Sequence, residues 1–303
     1  MGVKLACWAR GVLMDYETLL QKIEGYSKTF EIKCLGYSHF GRKIWAVERN
    51  LNADFATAIF VGGVHAREHI TTDLLCRFLD DRLFDEIDEF NVSLVLMANP
   101  DGVELVKHGI ESVPERFRDK VLKINGCNKD FLLWKANGFG EDINNNFDAN
   151  FGTNVHSWVP SSSGFIGEFA DSVTETKLLA DYTRQKQPFF TVSYHSKGEE
   201  IYFNFFQEGR RLKRDRLIVE RFAKSTGYVI RNVERYSSGG YKDWCVQKLK
   251  IPSLTIEIGG DNLAHPIKEE CLDEIYYKHK AVAKDLKFAY NVCVEYGETK
   301  DEL

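Results

Sequence analysis

Two short apolar runs that each lead to a histidine constrain the fold of this chain more than any other feature. Thr57–Val61 has the composition of a buried strand and is followed by Gly62-Gly63-Val64 and then by His65. A second run, at 191–194, ends at His195. In open α/β sheets, ligands bind in the crevice beyond the carboxyl ends of the strands. We therefore predict that the two histidines meet at one edge of such a sheet.

A glutamate three residues after the first histidine completes a possible zinc site. His65 and Glu68 lie at a predicted strand-to-helix turn, and the preceding glycines let the backbone bend there. With His195 they supply three protein ligands and leave a fourth position for water, whose pKa the metal lowers toward ~7. The same string also fits His-x-x-Glu-His, with His69 as a ligand and the glutamate as base. The strand and the glycines favour the first hypothesis, in which His69 is an ordinary first-turn residue.

Glu257 is the candidate general base. It is the charged residue of an otherwise apolar predicted strand, Ser253–Ile258, where a buried carboxylate is costly unless it has a role. Two glycines follow and mark the end of that strand. A strand-end glutamate that faces solvent is the alternative. The glycines place Glu257 at the same predicted sheet edge as the histidines, which favours the catalytic hypothesis.

Composition limits the classes of protein that the chain can belong to. Its 40 basic and 45 acidic side chains give a net charge of −5, which argues against nucleic-acid binding. No apolar run approaches the ~18–20 residues that span a bilayer, and the N-terminus does not resemble a signal peptide. Seven scattered cysteines are typical of free thiols in a reducing compartment. We therefore expect a cytoplasmic protein, and attribute the C-terminal Lys300-Asp301-Glu302-Leu303, which matches an endoplasmic-reticulum retention signal, to chance.

Strand-like and helix-like segments alternate at short spacing, which predicts one α/β domain over residues 1–303 with a mixed, mostly parallel sheet. Residues 1–14 are expected to be loosely ordered, and Asp15 is a candidate N-cap for a helix that ends near Tyr26. Residues 109–172 are predicted to be loop-rich. The other predicted helices cover 68–83, 174–185, 208–225, a short segment after 240, and 267–293. The predicted strands cover 30–35, 44–48, 57–61, 92–97, 189–194, 200–205 and 253–258.

An ordered series of motifs runs through the chain from about residue 30 to 290: Gly36-x-Ser38-x-x-Gly41-Arg42, Gly62-Gly63-x-His65-Ala66-Arg67-Glu68, Asn99-Pro100-Asp101-Gly102, Trp134-Lys135-Ala136-Asn137, Asp142-Ile143-Asn144-Asn145-Asn146-Phe147, Tyr194-His195-Ser196, Ser238-Gly239-Gly240-x-x-Asp243-Trp244 and Thr255-x-Glu257. With these motifs the chain resembles the zinc carboxypeptidase family, which has the carboxypeptidase A-like fold. The resemblance implies a mixed eight-stranded sheet flanked by helices, one Zn²⁺ per chain held by His65, Glu68 and His195, and Glu257 as general base.

Departures from the family pattern concern the groups that hold the substrate. Lys135 stands where family members have an arginine that helps to polarise the scissile carbonyl, and lysine supplies the charge without the planar fork. Asn145 stands where an arginine grips the substrate's C-terminal carboxylate. Asn144, Asn145 and Asn146 could hydrogen-bond a carboxylate or an amide, but they cannot neutralise a charge. Exopeptidase activity on ordinary C-termini is therefore not expected.

The resemblance assigns four further residues. Lys242 lies at the position of side-chain specificity, where a cation suggests an acidic group in the pocket, and a solvated lysine is the alternative. Tyr236 is the nearest candidate for the tyrosine of the family's mobile loop, about one position off. Arg67 is expected to contact substrate on the non-prime side, or else to be a surface charge. Asp142 is expected to orient His65 through its other ring nitrogen, or else to be a loop turn residue.

The Lys-Ala-Asn motif, together with the missing arginine, resembles the branch of the family that cleaves γ-D-glutamyl-diaminopimelate bonds in bacterial wall peptides. Diaminopimelate carries a second carboxylate, which Lys242 could meet. We therefore predict a zinc metallopeptidase that acts on internalised wall fragments. Zinc and Glu257 would activate water, Lys135 would help to polarise the carbonyl, and Glu257 would pass the proton to the leaving amine. The sequence leaves the oligomeric state open.

Three other functions stay open from the sequence. An exopeptidase could remove acidic C-terminal residues by using Lys242 for the side chain. A zinc amidase could act on small acylated amino acids, although the long carboxypeptidase-like loops argue against it. A binding protein could have kept the fold without metal, and the intact His65, Glu68, His195 and Glu257 argue against that.

Overall fold

A mixed sheet of eight strands forms the centre of the computed structural model, which describes residues 14–154, 156–232 and 237–297. The strands are β1 (Glu31–Tyr37), β2 (Lys43–Arg49), β3 (Thr57–Val61), β4 (Asn91–Val95), β5 (Phe190–His195), β6 (Glu200–Tyr202), β7 (Val229–Arg231) and β8 (Ser253–Glu257). They lie in the order β1-β2-β4-β3-β5-β8-β6-β7. The neighbours β4, β3, β5 and β8 are parallel, as are β6 and β7. The remaining pairings are antiparallel, so the predicted mixed sheet is confirmed.

Three of the four neighbouring parallel strands, β3, β4 and β5, are buried along their whole length. They are buried because helices cover both faces of this part of the sheet. The outer strand β1 has no fully buried residue. The carboxyl ends of β3 and β5, which precede or include the two predicted histidine ligands, therefore meet in the best-packed part of the molecule.

Helices flank this sheet. Thr18 N donates to Asp15 Oδ1 at 2.8 Å, which confirms the predicted cap of the first helix. Met14, expected in a loosely ordered segment, is instead buried in the core, while residues 1–13 lie outside the described part of the chain. The helices of the described residues are α1 (Tyr16–Tyr26), α2 (Ile70–Asp80), α3 (Pro100–His108), α4 (Glu115–Ile124), α5 (Thr174–Lys186), α6 (Gly209–Thr226), α7 (Tyr241–Trp244), α8 (Leu272–His279) and α9 (Val282–Glu295).

Helix α4 corrects the prediction that residues 109–172 are all loop-rich. Pro114 precedes the helix, and Phe117, Val121 and Ile124 recur at helical spacing within it. These side chains pack on an apolar cluster that includes Trp134. The periodicity was present in the sequence, but the polar residues around it concealed the signal.

The secondary structure also departs from the prediction elsewhere. The single long helix over 267–293 is two helices, α8 and α9, separated by a turn at 280–281. At this break the buried His279 ring packs against the rings of Tyr194 and Tyr228, with centroids 5.3 and 5.2 Å away. No glycine or proline marks the turn, so the break follows from tertiary packing. The short edge strand β7, three residues long, was missed altogether.

The described residues test the predicted cellular location only in part. No helix in the described ranges combines the length and the apolar character that a membrane crossing requires. Six cysteines of the described ranges are free thiols. The C-terminal tetrapeptide 300–303 lies outside those ranges, and the cytoplasmic location stays a prediction.

Phe60 links the core to the strands that carry the histidines, so its truncation tests the fold directly. Its ring lies 5.5 Å from that of Phe84 and is stacked at 6.3 Å on that of Tyr194. We expect Phe60→Ala to lower the free energy of unfolding by about 3–5 kcal/mol because it leaves a cavity. Phe169→Ala, at a side chain that is 63% exposed, is the control and should change it by less than about 0.5 kcal/mol. Equal effects in urea denaturation would contradict this description of the core.

Candidate active site

The turn after β3 positions the first two candidate ligands. Gly63 adopts a φ of +60°, and a Cβ there would lie 2.8 Å from Thr72 Oγ1, so only glycine fits. His65 is extended, and the single turn Ala66–Glu68 follows it before α2 begins. His65 therefore precedes the helix, as predicted, and the turn brings Glu68 back onto the His65 ring.

His195, the last residue of β5, completes a buried cluster. Its Nδ1 lies 3.0 Å from His65 Nδ1 and 3.1 Å from Glu68 Oε2, and Glu68 Oε2 lies 3.0 Å from His65 Nδ1. All three side chains are buried. His69 is also buried, but its Nδ1 faces Asp73 at 3.9 Å and lies outside the cluster. The arrangement supports the predicted ligand set over the His-x-x-Glu-His alternative.

The donor set fits a zinc ion. Both imidazoles present Nδ1 to the cluster, and both Nε2 atoms have other partners, at 3.2 Å from Asp142 Oδ1 for His65 and 3.0 Å from Ser193 Oγ for His195. Such outer partners fix the tautomer and the ring orientation of zinc-binding histidines. Two imidazole nitrogens and a carboxylate oxygen form a common ligand set of catalytic zinc. Ser193 was missed from the sequence, although strand alternation places it on the same face as His195.

Asp142 connects the cluster to Lys135. Its Oδ1 contacts His65, while its Oδ2 lies 3.2 Å from Lys135 Nζ and accepts the Gly164 N–H at 3.2 Å. Burial opposes ionisation of this carboxyl, but Lys135 and His65 hold its pKa far below the usual range. Burial also opposes the charge of Lys135, yet Asp142 and Glu68 raise its pKa. Lys135 is therefore a fixed cation at the edge of the cluster.

Glu257 lies beside His195 across the parallel β5–β8 ladder. The two residues are direct partners in register, and Ile258 N donates to His195 O at 2.8 Å. Burial, followed by the charge of Glu68, raises the pKa of Glu257 well above its usual value. Glu257 also lines a pocket. This geometry suits a general base and does not match the alternative of a solvent-facing strand end.

The Arg67 side chain is partly buried, and its Nε has no hydrogen-bond partner among the described residues. Its charge acts to lower the pKa of Glu257, which places it close to the proposed base. The contact of Arg67 with substrate stays a prediction.

The pocket in front of Glu257 contains three of the predicted substrate-binding residues, Asn144, Asn145 and Lys242. Asn144 Oδ1 is already used by the Tyr241 N–H at 3.0 Å. Asn146 is not available to a substrate, because it is buried and its amide bonds Ile166 O and Val173 N. Its suggested role was wrong. Tyr236 lies outside the described residues.

Lys242 is buried in this pocket and is not the solvated lysine of the alternative hypothesis. Its Nζ donates to Asn204 O at 2.9 Å and forms a short ion pair with Asp243. Asp243 in turn accepts a hydrogen bond from the Ser237 hydroxyl. The pocket thus presents a cation and an anion side by side.

Comparison with known proteins agrees with this geometry. A family model described as zinc carboxypeptidase matches residues 16–276. The chain belongs to the zinc carboxypeptidase family. Zinc is the metal of that family, and the cluster of His65, Glu68 and His195 is a set of groups that could hold it.

The relatives of this chain have names that describe different activities. Gamma-D-glutamyl-L-diamino acid endopeptidase 1 of Lysinibacillus sphaericus is 31% identical over 229 residues, which are 70% of this chain and 56% of that protein. Bovine carboxypeptidase A1 is 24% identical over 249 residues, 74% of this chain and 56% of that protein. The chain thus spans about half the length of each. The bovine thrombin-activatable fibrinolysis inhibitor, solved with a tick carboxypeptidase inhibitor, shares the fold with a TM-score of 0.73, 17% identity and coverage of 91% and 95% of the two chains.

Asp142→Asn tests whether the outer partner of His65 supports metal binding. Because asparagine is isosteric but uncharged, we expect zinc affinity to fall about 10–100-fold in titrations against a competing chelator. Asp148→Asn is the control, since Asp148 is 53% exposed in a surface ion pair with Lys248. Unchanged affinity in Asp142→Asn would show that Asp142 does not act through His65.

Proposed function

We propose that this chain is a zinc-dependent metallopeptidase that hydrolyses the γ-D-glutamyl-diaminopimelate bond of peptidoglycan-derived peptides. The observation that carries the reaction type is the register of β5 and β8, which sets Glu257 beside His195 at the pocket. A carboxylate next to a zinc-ligand set is what metal-assisted amide hydrolysis requires.

The proposal gives each residue of the site a defined role. His65, Glu68 and His195 hold the zinc ion, which when bound supplies a Lewis acid for the water and the scissile carbonyl. Glu257 accepts the proton of the attacking water and delivers it to the leaving amine. Lys135, fixed by Asp142, provides positive charge for the carbonyl oxygen as it becomes negative.

The pocket supports a diamino acid as the residue on the leaving side of the bond. Among the described lining residues there is no arginine to grip a C-terminal carboxylate. The buried pair of Lys242 and Asp243 instead offers one charge of each sign. The far end of diaminopimelate carries an ammonium and a carboxylate, so it can match both charges. The name of the Lysinibacillus sphaericus relative, an endopeptidase for γ-D-glutamyl-L-diamino acids, supports the same class of substrate.

The rival hypothesis, removal of acidic C-terminal residues, finds less support in this pocket. A purely anionic side chain would need an uncompensated cation, whereas the Lys242 charge is already paired with Asp243. Breaking that pair to bind a second anion would leave Asp243 buried without its partner, which is costly.

Glu257→Gln, assayed on a panel of peptides by mass spectrometry, tests the reaction and the bond together. The panel contains L-Ala-γ-D-Glu-diaminopimelate and ordinary peptides that end in Glu, Lys or Phe. We expect the zinc-loaded chain to cleave only the γ-D-Glu bond, and Glu257→Gln to lower kcat by about 10²-fold or more. The control Glu270→Gln, at a side chain that is 75% exposed, should keep full activity. Release of single residues from the ordinary peptides would refute the proposed substrate.

Removing both charges of the pocket pair tests its role in specificity. The double variant Lys242→Met/Asp243→Asn stays neutral, which limits damage to folding. We expect the wild type to prefer diaminopimelate over L-lysine at this position by about 10-fold or more in kcat/KM, and the variant to lose most of that preference. The surface pair of Lys248 and Asp148, at 2.8 Å, gives the matched control Lys248→Met/Asp148→Asn. An unchanged preference in the pocket variant would exclude the pair from diamino acid recognition.

A further inference from the structure

A second cluster of metal-ligating side chains lies next to the loop that carries Lys135 and Asp142. His39 Nε2 is 3.0 Å from Glu141 Oε2 and 4.0 Å from Glu175 Oε2. One nitrogen or oxygen atom from each of the three residues lies within 4.8 Å of the others. The His39 and Glu141 side chains are 23% and 21% exposed, whereas Glu175 is fully buried. The cluster therefore has an open side through which an ion could enter.

Only one of the two carboxylate oxygens of the buried glutamate in this cluster has a hydrogen-bond partner among the described residues. Asn137 Nδ2 donates to Glu175 Oε2 and to Glu141 Oε2, at 2.9 Å each, and so fixes both carboxylates. Glu175 Oε1 is buried and has no hydrogen-bond partner among the described residues. A buried carboxylate oxygen without a partner is costly, and native structures rarely leave one so.

The neighbouring charged residues do not supply the missing partner of Glu175. Asp101 adds another carboxylate, but Arg42 pairs with it at 2.8 Å. Burial raises the pKa of Glu175 to about 7. Burial also disfavours the charged form of His39, yet the Glu141 hydrogen bond and the Glu175 charge raise its pKa.

We propose that His39, Glu141 and Glu175 form a second site for a divalent transition-metal cation, of the class of Zn²⁺ or Mn²⁺. One imidazole nitrogen and two carboxylate oxygens are the ligands that such ions accept, and the imidazole argues against Ca²⁺. The two negative charges of the carboxylates match the charge of the ion. The ion would also bind Glu175 Oε2, the oxygen that faces His39, and so neutralise the buried carboxylate.

The site joins three segments that are distant in sequence. His39 lies in the turn between β1 and β2, Glu141 precedes Asp142 in the chain, and Glu175 is in the first turn of α5. Asn137 N also donates to Glu141 O at 2.8 Å within the same loop. A bound ion would hold this loop, and with it Asp142, in a fixed position. The proposal rests on these contacts alone and does not depend on the substrate proposed above.

The metal content of the protein after dialysis against Zn²⁺ tests the second site. It is measured by elemental mass spectrometry. We expect about two equivalents per chain for the wild type and about one for His39→Gln, which keeps the buried Glu175 intact. Glu68→Gln should lose the equivalent at the first cluster and keep the second, and His39→Gln/Glu68→Gln should lose both. His108→Gln, at an exposed ring 3.0 Å from Asp15, is the control and should keep two.

Zinc bound at the first cluster shows in the same experiment whether a variant is folded. If His39→Gln keeps that equivalent and loses the other, the loss comes from the second site and not from misfolding. A wild type that takes up a single equivalent of Zn²⁺, and a single equivalent of Mn²⁺ in a parallel dialysis, each unchanged in His39→Gln, would overturn the proposal. His39 and Glu141 would then form only a partly buried ion pair beside Glu175.

Discussion

Three buried metal-ligating side chains in mutual contact are the constraint on which the rest of this structure depends. His65 Nδ1, His195 Nδ1 and Glu68 Oε2 lie 3.0–3.1 Å from one another. Burial disfavours the charged form of both imidazoles, so the pKa of His195 is lowered. The Glu68 charge nevertheless raises the pKa of His65. Two neutral imidazoles and a carboxylate around one divalent cation satisfy all three groups at once.

The surrounding structure follows from holding that cluster in place. Parallel pairing of β3, β5 and β8 brings His65, His195 and Glu257 to one sheet edge. Asp142 contacts both His65 and Lys135, while Ser193 contacts His195. The positions of the proposed base and the proposed cation are therefore set by strand register and by one buried carboxylate, both of which are rigid features.

The sequence predicts the parts of this arrangement that local chemistry determines. A buried strand that ends in glycines places His65 before its helix, and a charged residue in an apolar strand identifies Glu257. The same reasoning missed features that depend on tertiary contacts. Asn146 looked like a substrate residue, but its amide holds the backbone of 166–173. Lys242 was expected to present a free cation, and only the packed structure sets it against Asp243. His39 and Glu175 are 136 positions apart, a separation from which no local pattern predicts contact.

Anomalous diffraction at the zinc edge, from crystals of the zinc-loaded protein, would locate the metal ion itself. We predict a peak between β3 and β5, with His65 Nδ1 and His195 Nδ1 at about 2.0–2.1 Å and a Glu68 oxygen at about 2.0–2.2 Å. Glu257 would lie beside this ion without binding it. A peak at His69 and Asp73, or a first cluster that stays free of zinc in the folded protein, would show that His65, Glu68 and His195 are not the zinc ligands.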